Sequence, residues 1–143
     1  MKKEKIVMLS LRLVMGFIFI WAFFDKVFGL GFATNAKSAW IHGVSPTYAF
    51  LKMATKGPFV EFFHNIAGMA IVDWSFMLGL LFVGLTLIFN RFIKWGCIAG
   101  ITMMILMYMA LLFPINNPII DEHIVYILVL SLIAIKKMNN DKL

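Results

Sequence analysis

Residues 6–24 read IVMLSLRLVMGFIFIWAFF, a run of 19 residues in which Arg12 is the only charged side chain. As an α-helix this run spans about 28 Å, close to the thickness of the hydrocarbon core of a bilayer. It is longer than the apolar region of a cleaved signal peptide, and it contains an arginine. The run therefore predicts a first membrane-spanning helix.

Three further apolar runs follow a longer, more polar segment. We predict spans at 6–24, 69–90, 92–113 and 118–135, with an outer loop at 25–68. The last run carries Asp121, Glu122 and His123 in its first turn, so it crosses the bilayer only if this turn lies in the polar interface.

The composition supports a lipid environment for the whole chain. Hydrophobic residues make up 62% and charged residues 14% of the 143 residues, against roughly 45–50% and about 25% in soluble domains. A domain of this size leaves too much of its surface exposed to bury so many apolar side chains internally. We therefore predict an all-α integral membrane protein: a four-transmembrane-helix bundle forming one membrane domain over residues 1–143.

Positive charges indicate the orientation of this bundle. Four crossings place eight cations on one side: Lys2, Lys3, Lys5, Arg91, Lys94, Lys136, Lys137 and Lys142. Lysine and arginine are enriched in cytoplasmic loops, so the prediction is a multi-pass protein with cytoplasmic N- and C-termini.

Local signals also predict short helices in the outer loop. Ser45-Pro46 combines an N-cap residue with proline at the first helical position, and Gly57-Pro58 combines a stop with a new start. After it, Phe59, Phe62, Phe63 and Ile66 fall at helical spacing on one face.

Several classes of function are disfavoured. The net charge of +6 belongs to lysines at the ends of apolar runs rather than to a basic patch, so no nucleic acid is expected as a partner. A single cysteine, Cys97, forms no internal disulfide and no cysteine-cluster metal site. The three histidines have no compact ligand spacing, so we predict no metal site.

Arg12 lies about 9 Å below the cytoplasmic boundary of its span. Its side chain can reach lipid phosphates by snorkelling. No carboxylate lies in the cytoplasmic half of any predicted span. The alternative partners are hydroxyl groups, backbone carbonyls, an anionic ligand or another subunit. We treat Arg12 as a candidate ligand-binding residue.

A second group of polar residues gathers at the predicted outer face. Candidate ligand-binding residues there are Asp25 and Lys26 at the end of span one, Asp73 at the start of span two, and His64 in the loop.

Candidate catalytic residues lie on the fourth span. Glu122 and His123 each share a helix face with Tyr126. An imidazole and a phenol there could hydrogen-bond the carbonyls of a quinone and transfer protons. In the structural alternative, Asn117 caps the helix, Pro118 starts it, and the acids complement the helix dipole.

Three stretches resemble the DoxX family, particularly its DoxD-like branch. They are LRLVMGFIFIWAFFDKVFG at 11–29, DWSFMLGLLFVGLTL at 73–87 and NNPIIDEHIVYILVL at 116–130. The branch includes the small membrane subunit of archaeal thiosulfate:quinone oxidoreductase. The resemblance implies a four-helix bundle in a prokaryotic cell membrane, a quinone that is not covalently bound, and thiosulfate as electron donor.

Two functions of different classes follow. The first is a membrane subunit of a quinone-linked oxidoreductase, with a second protein subunit or a homo-oligomer as partner. The second is a non-catalytic membrane anchor or assembly factor, because the chain contains no cofactor motif of its own. A transporter has less support, since four short spans with one deep charge and no paired half-helices offer no evident pathway.

Overall fold

The computed structural model describes residues 2–115 and 117–140, and all regular secondary structure in these ranges is helical. Five α-helices are present: α1 at Lys2–Phe28, α2 at Val60–Ile66, α3 at Ala70–Phe89, α4 at Ile93–Ala110 and α5 at Glu122–Asn140. Asn116, the first residue of the third family-like stretch, and Lys142 lie outside the described residues.

The connection between α1 and α3 contains short helical turns besides α2. They are Ala36–Ser38, Trp40–His42, the π-helical Phe50–Ala54, and Gly57–Phe59. Ser45 acts as a local cap, because its Oγ accepts a hydrogen bond from the backbone N–H of Tyr48 at 3.1 Å.

α1 continues four residues beyond the predicted end of span one. The charged pair Asp25-Lys26 lies within the helix, which ends at Phe28. Gly29 follows with a φ of 63°, and its N–H donates to the carbonyl of Asp25 at 2.8 Å. A Cβ at this position would lie 2.5 Å from the carbonyl oxygen of Asn35. A left-handed glycine, rather than the charged pair, therefore ends this helix.

α5 begins later than the sequence predicts. Asn117 does not cap it, because its Oδ1 accepts hydrogen bonds from the N–H groups of Ile119 at 3.0 Å and Ile120 at 3.1 Å in a turn of its own. Asp121 lies directly before the helix, and its Oδ1 accepts from the N–H of His123 at 3.0 Å. Asp121 is therefore the residue that caps α5.

Glycines allow α1 and α3 to pack closely in antiparallel orientation. A Cβ on Gly16 would lie 2.8 Å from Cγ1 of Ile88, and one on Gly84 would lie 2.4 Å from Cγ1 of Ile20. Position 16 of α1 thus faces position 88 of α3, and position 20 faces position 84. This order is expected when the two helices run in opposite directions.

The pair Gly96 and Gly100 lies inside the bundle rather than on its surface. A Cβ on Gly96 would lie 1.8 Å from Oγ1 of Thr86, and one on Gly100 would lie 2.9 Å from Leu130 and 3.2 Å from Val83. The two glycines thus bring α4 close to α3 and α5. One core joins all four long helices, with Phe19, Met77, Val83, Cys97 and Leu130 among its buried members.

Within the described residues, three helices are long and apolar enough to cross a membrane: α1 over Lys3–Phe28, α3 and α4. Only 17%, 39% and 33% of their most apolar stretches are buried in the protein. The remaining apolar side chains therefore face outwards, where lipid is the solvent that matches them. α5 is not among these helices, since Glu122, Lys136 and Lys137 confine its mainly apolar part to residues 124–135.

The antiparallel order gives the bundle two chemically different ends. We call the end with the start of α1, the turn at 90–92 and the end of α5 the basic end. We call the opposite end, with the connections at 29–69 and 111–121, the loop end. The long connection contacts the end of α4, where the N–H of Lys56 donates to the carbonyl of Ala110 at 2.8 Å. It also lies against the second connection, since a Cβ on Gly57 would overlap the carbonyl oxygen of Leu112.

Candidate functional site

An apolar cavity of about 580 Å³ lies at the loop end, between α3, α4 and the long connection. Its lining includes Phe50, Phe63, Phe76, Met103 and Leu106. Leu106 is 48% exposed on the outer surface of α4. The cavity is therefore reachable from the side of the bundle, where a lipophilic molecule would enter.

Among the residues that the structure describes, Lys26 is the only charged one that lines this cavity. Its Nζ lies 5.9 Å from the centroid of the Phe76 ring, and no described carboxylate lies within 4 Å of it. A cation–π contact offsets only part of the cost of placing an ammonium group in apolar surroundings. The ammonium group of Lys26 is therefore suited to donate a hydrogen bond to an acceptor group on a molecule bound in this cavity.

Asp25 does not pair with Lys26, although the two residues are adjacent. The residue is 1% exposed, and its two carboxylate oxygens accept hydrogen bonds from the N–H groups of Phe32 at 3.2 Å and Ala33 at 3.0 Å. Asp25 therefore holds the chain as it leaves α1.

Asp73 has a comparable role at the start of α3. Its Oδ1 accepts hydrogen bonds from the hydroxyl groups of Ser45 at 2.8 Å and Thr47 at 2.5 Å. Because Thr47 also lines the apolar cavity, this contact fixes one wall of the cavity to α3.

His123 is bonded to Asp121 rather than to the other predicted catalytic residues. Its Nδ1 lies 2.8 Å from Oδ2 of Asp121, and the residue is 5% exposed. With Asp121 ionised, the hydrogen on Nδ1 is donated to the carboxylate. Two hydrogen bonds, one from the backbone and one from the ring, thus attach His123 to the residue that caps α5.

The other predicted catalytic residues have different surroundings. Glu122 is exposed at the start of α5, and Tyr126 packs against the core of the bundle. No hydrogen bond joins His123 to Tyr126 in the part of the chain that the structure describes, and none of the three residues lines the apolar cavity.

The remaining two predicted ligand-binding residues also lie outside this cavity. His64 is half-buried on α2, and Arg12 lies at the basic end, where its Nη1 donates to the carbonyls of Leu87 and, at 3.3 Å, Ile88. Backbone carbonyls are thus the partners that Arg12 finds within the protein. Lys26 is the one predicted site residue that the structure places in the apolar cavity.

Sequence reasoning missed most of the residues that form the cavity. The aromatic face predicted for the loop indicated one cavity residue correctly. Phe63 on this face is 4% exposed and lines the cavity. Phe62 on the same predicted face is 57% exposed. Thr47 and Met103 carry no local pattern that distinguishes them from other loop and helix residues.

Comparisons of the chain with protein families, with curated proteins and with solved structures give no match.

Proposed function

We propose that the chain is a DoxX-like membrane subunit of a quinone-linked oxidoreductase, and that its apolar cavity binds the quinone. The observation that carries this proposal is Lys26, whose ammonium group lies in an apolar cavity over the ring of Phe76, with no described carboxylate within 4 Å. A quinone combines carbonyl acceptors with an apolar ring and tail. Its head group fits the ammonium group of Lys26, and its tail fits the apolar lining.

The chemistry of reduction assigns a role to Lys26. A quinone accepts two electrons and two protons to become a quinol. A neighbouring ammonium group stabilises negative charge that develops on a carbonyl oxygen as electrons arrive. Lys26 thus takes the place of His123 as the predicted ligand of the head group, because His123 is bonded to Asp121 outside the cavity.

The electrons must come from a second protein subunit, since the chain has one cysteine and no cofactor motif. By the family resemblance, the donor is thiosulfate, two molecules of which release two electrons and join as tetrathionate. In this proposal α5 supplies the fourth crossing, with Glu122 at one interface and Lys136 at the other. Both termini then lie in the cytoplasm of a prokaryotic cell.

Binding of a short-chain quinone to the purified chain in detergent tests the proposal. We expect Lys26→Met to weaken binding roughly tenfold or more, because a hydrogen bond from a charged donor is lost. Lys37→Met is the matched control, since it removes the same charge from an exposed position in the loop. Equal affinities of wild type and Lys26→Met would overturn the assignment of Lys26.

A second pair of variants tests the cavity itself. Leu106→Trp places a larger side chain in its lining, whereas Leu85→Trp adds the same group to an exposed position on α3 that does not line it. Loss of quinone binding in Leu106→Trp alone is the expected result. Binding that survives both changes would place the quinone elsewhere.

One observation favours the alternative, a non-catalytic anchor or assembly factor. Asp25, Asp73 and Asp121 all accept hydrogen bonds from nearby backbone or side-chain groups, which is typical of residues that maintain a structure. In that case a partner protein should co-purify with the chain, and Lys26→Met should leave both the partner and its activity unchanged.

A further inference from the structure

A second cavity, of about 530 Å³, lies at the basic end between the start of α1, the start of α4 and the end of α5. Its charged lining residues are Lys5, Arg12, Lys136, Lys137 and Glu4. Four cations and one carboxylate give this lining a net charge of +3. We call this cavity the basic cavity.

Two nitrogens of Arg12, which lines the basic cavity, donate no hydrogen bond within the described structure. Both of its hydrogen bonds to α3 carbonyls use Nη1, which leaves the hydrogens on Nε and Nη2. No fully buried side-chain nitrogen among the described residues lacks a partner, so these remaining donors retain access to the surface. A guanidinium group with free donors is well suited to phosphate oxygens.

The apolar part of the lining indicates where a ligand would come from. Met8, Leu9, Ile93 and Ile133 form it. Leu9 is 48% exposed on α1, one of the helices long and apolar enough to cross a membrane. The basic cavity is therefore continuous with a lipid-facing helix surface, along which an acyl chain can lie. A soluble anion would make no use of this surface.

We propose that the basic cavity binds the head group of an anionic phospholipid from the leaflet at the basic end. Arg12 holds the phosphate from below with Nε and Nη2, while Lys5 and Lys137 contact it from the rim. The Glu4–Lys136 ion pair joins the ends of α1 and α5 beside the head group. This site is separate from the apolar cavity and does not depend on quinone binding there.

Two charge-matched double variants test this site. Lys5→Gln with Lys137→Gln removes two cations from the cavity. Arg91→Gln with Lys94→Gln removes two cations from the same end of the bundle at positions that do not line it. Delipidated full-length chains in neutral detergent are titrated with phosphatidylglycerol and with phosphatidylcholine, and bound lipid per chain is measured by native mass spectrometry.

Each cation near an anionic head group contributes about fivefold in affinity. We therefore expect the cavity variant to bind phosphatidylglycerol about 25-fold more weakly, while the control changes less than about twofold and phosphatidylcholine binds weakly throughout. Arg12→Lys, which keeps the charge but loses the fork of donors, should also weaken binding and provides a second comparison.

Three results would overturn the proposal. Equal losses in the two double variants would show diffuse surface attraction rather than a site. Equal binding of both lipids would show that the head-group charge is not recognised. Displacement of phosphatidylglycerol by millimolar inorganic phosphate would show that the cavity takes a free anion instead of a lipid.

Discussion

Arg12 of α1 donates from Nη1 to the carbonyl of Ile88 at 3.3 Å, in the last turn of α3. The neighbouring carbonyl of Leu87 accepts from the same atom. The last four carbonyls of a helix have no partner within the helix, and a cation near them also complements the negative end of the helix dipole. One arginine thus supplies a donor to two helix carbonyls in the last turn of α3 and joins α1 to α3.

Replacement of Arg12 should destabilise the bundle in proportion to the donors lost. We expect Arg12→Leu to reduce the free energy of unfolding by about 1.5–3 kcal/mol, because the carbonyls of Leu87 and Ile88 lose a charged donor. Arg12→Lys should have a smaller effect, since one ammonium group can still reach a carbonyl. Thermal unfolding in detergent measures both.

Arg91→Leu is the control for this measurement, because Arg91 is exposed at the same end of the bundle. If Arg12→Leu and Arg91→Leu unfolded at the same temperature as the wild type, Arg12 would not stabilise the packing of α1 on α3.

The contact between Thr47 and Asp73 should show energetic coupling. The two residues share a hydrogen bond of 2.5 Å that joins the long connection to α3. In a double-mutant cycle with Thr47→Val and Asp73→Asn, we expect a coupling energy of about 0.5–3 kcal/mol, the range for residues in one network. Ser45→Ala with Asp73→Asn provides the parallel cycle, since Ser45 bonds to the same oxygen. Additive effects in both cycles would contradict a shared network.

The sequence predicted the positions of the long helices better than their ends. Apolar runs identify the helices because lipid requires apolar side chains wherever they point. The ends depend on other chemistry: Gly29 ends α1 because it can adopt positive φ, and Asn117 forms its own turn and leaves the cap of α5 to Asp121. Neither choice is visible in hydropathy.

The candidate site could not be predicted from local sequence, because its contacts join residues that are far apart in the chain. The partner of Arg12 is 75 positions away, and it is a backbone carbonyl, which no residue type reveals. Lys26 was predicted as a ligand-binding residue from its place at the end of span one. Its cavity, however, is assembled from α3, α4 and the long connection, and only tertiary packing brings these segments together.

The orientation of α5 makes a topological prediction. If α5 crosses the membrane, a reporter after Leu143 and one near Asn90 should both report the cytoplasm, and one near Lys52 should report the outside. The positive charges at the basic end predict this orientation. A Leu143 reporter on the same side as the Lys52 reporter would mean that α5 lies along the interface, where its charged residues at both ends could remain solvated.

The final prediction concerns the role of His123. Because its Nδ1 lies 2.8 Å from Oδ2 of Asp121 and the residue is 5% exposed, we expect His123 to stabilise the start of α5. His123→Leu removes the ring N–H that bonds to the Asp121 carboxylate and leaves this carboxylate with one hydrogen bond fewer. We expect the free energy of unfolding to fall by about 1–3 kcal/mol. His123→Asn keeps a donor near the position of Nδ1 and should cost less. Tyr126→Phe should change stability little, since no described residue hydrogen-bonds its hydroxyl.

If the chain belongs to the proposed oxidoreductase, the rate of quinone reduction per folded molecule distinguishes this role from catalysis. Loss of a proton-transfer group typically lowers a rate by about 10²- to 10⁴-fold, whereas a residue that only stabilises the helix start leaves the rate per folded molecule unchanged. We expect the second result for His123→Leu and Tyr126→Phe. A loss of 100-fold or more at unchanged thermal stability would return the catalytic role to His123, because the damage would then lie in the chemistry and not in the fold.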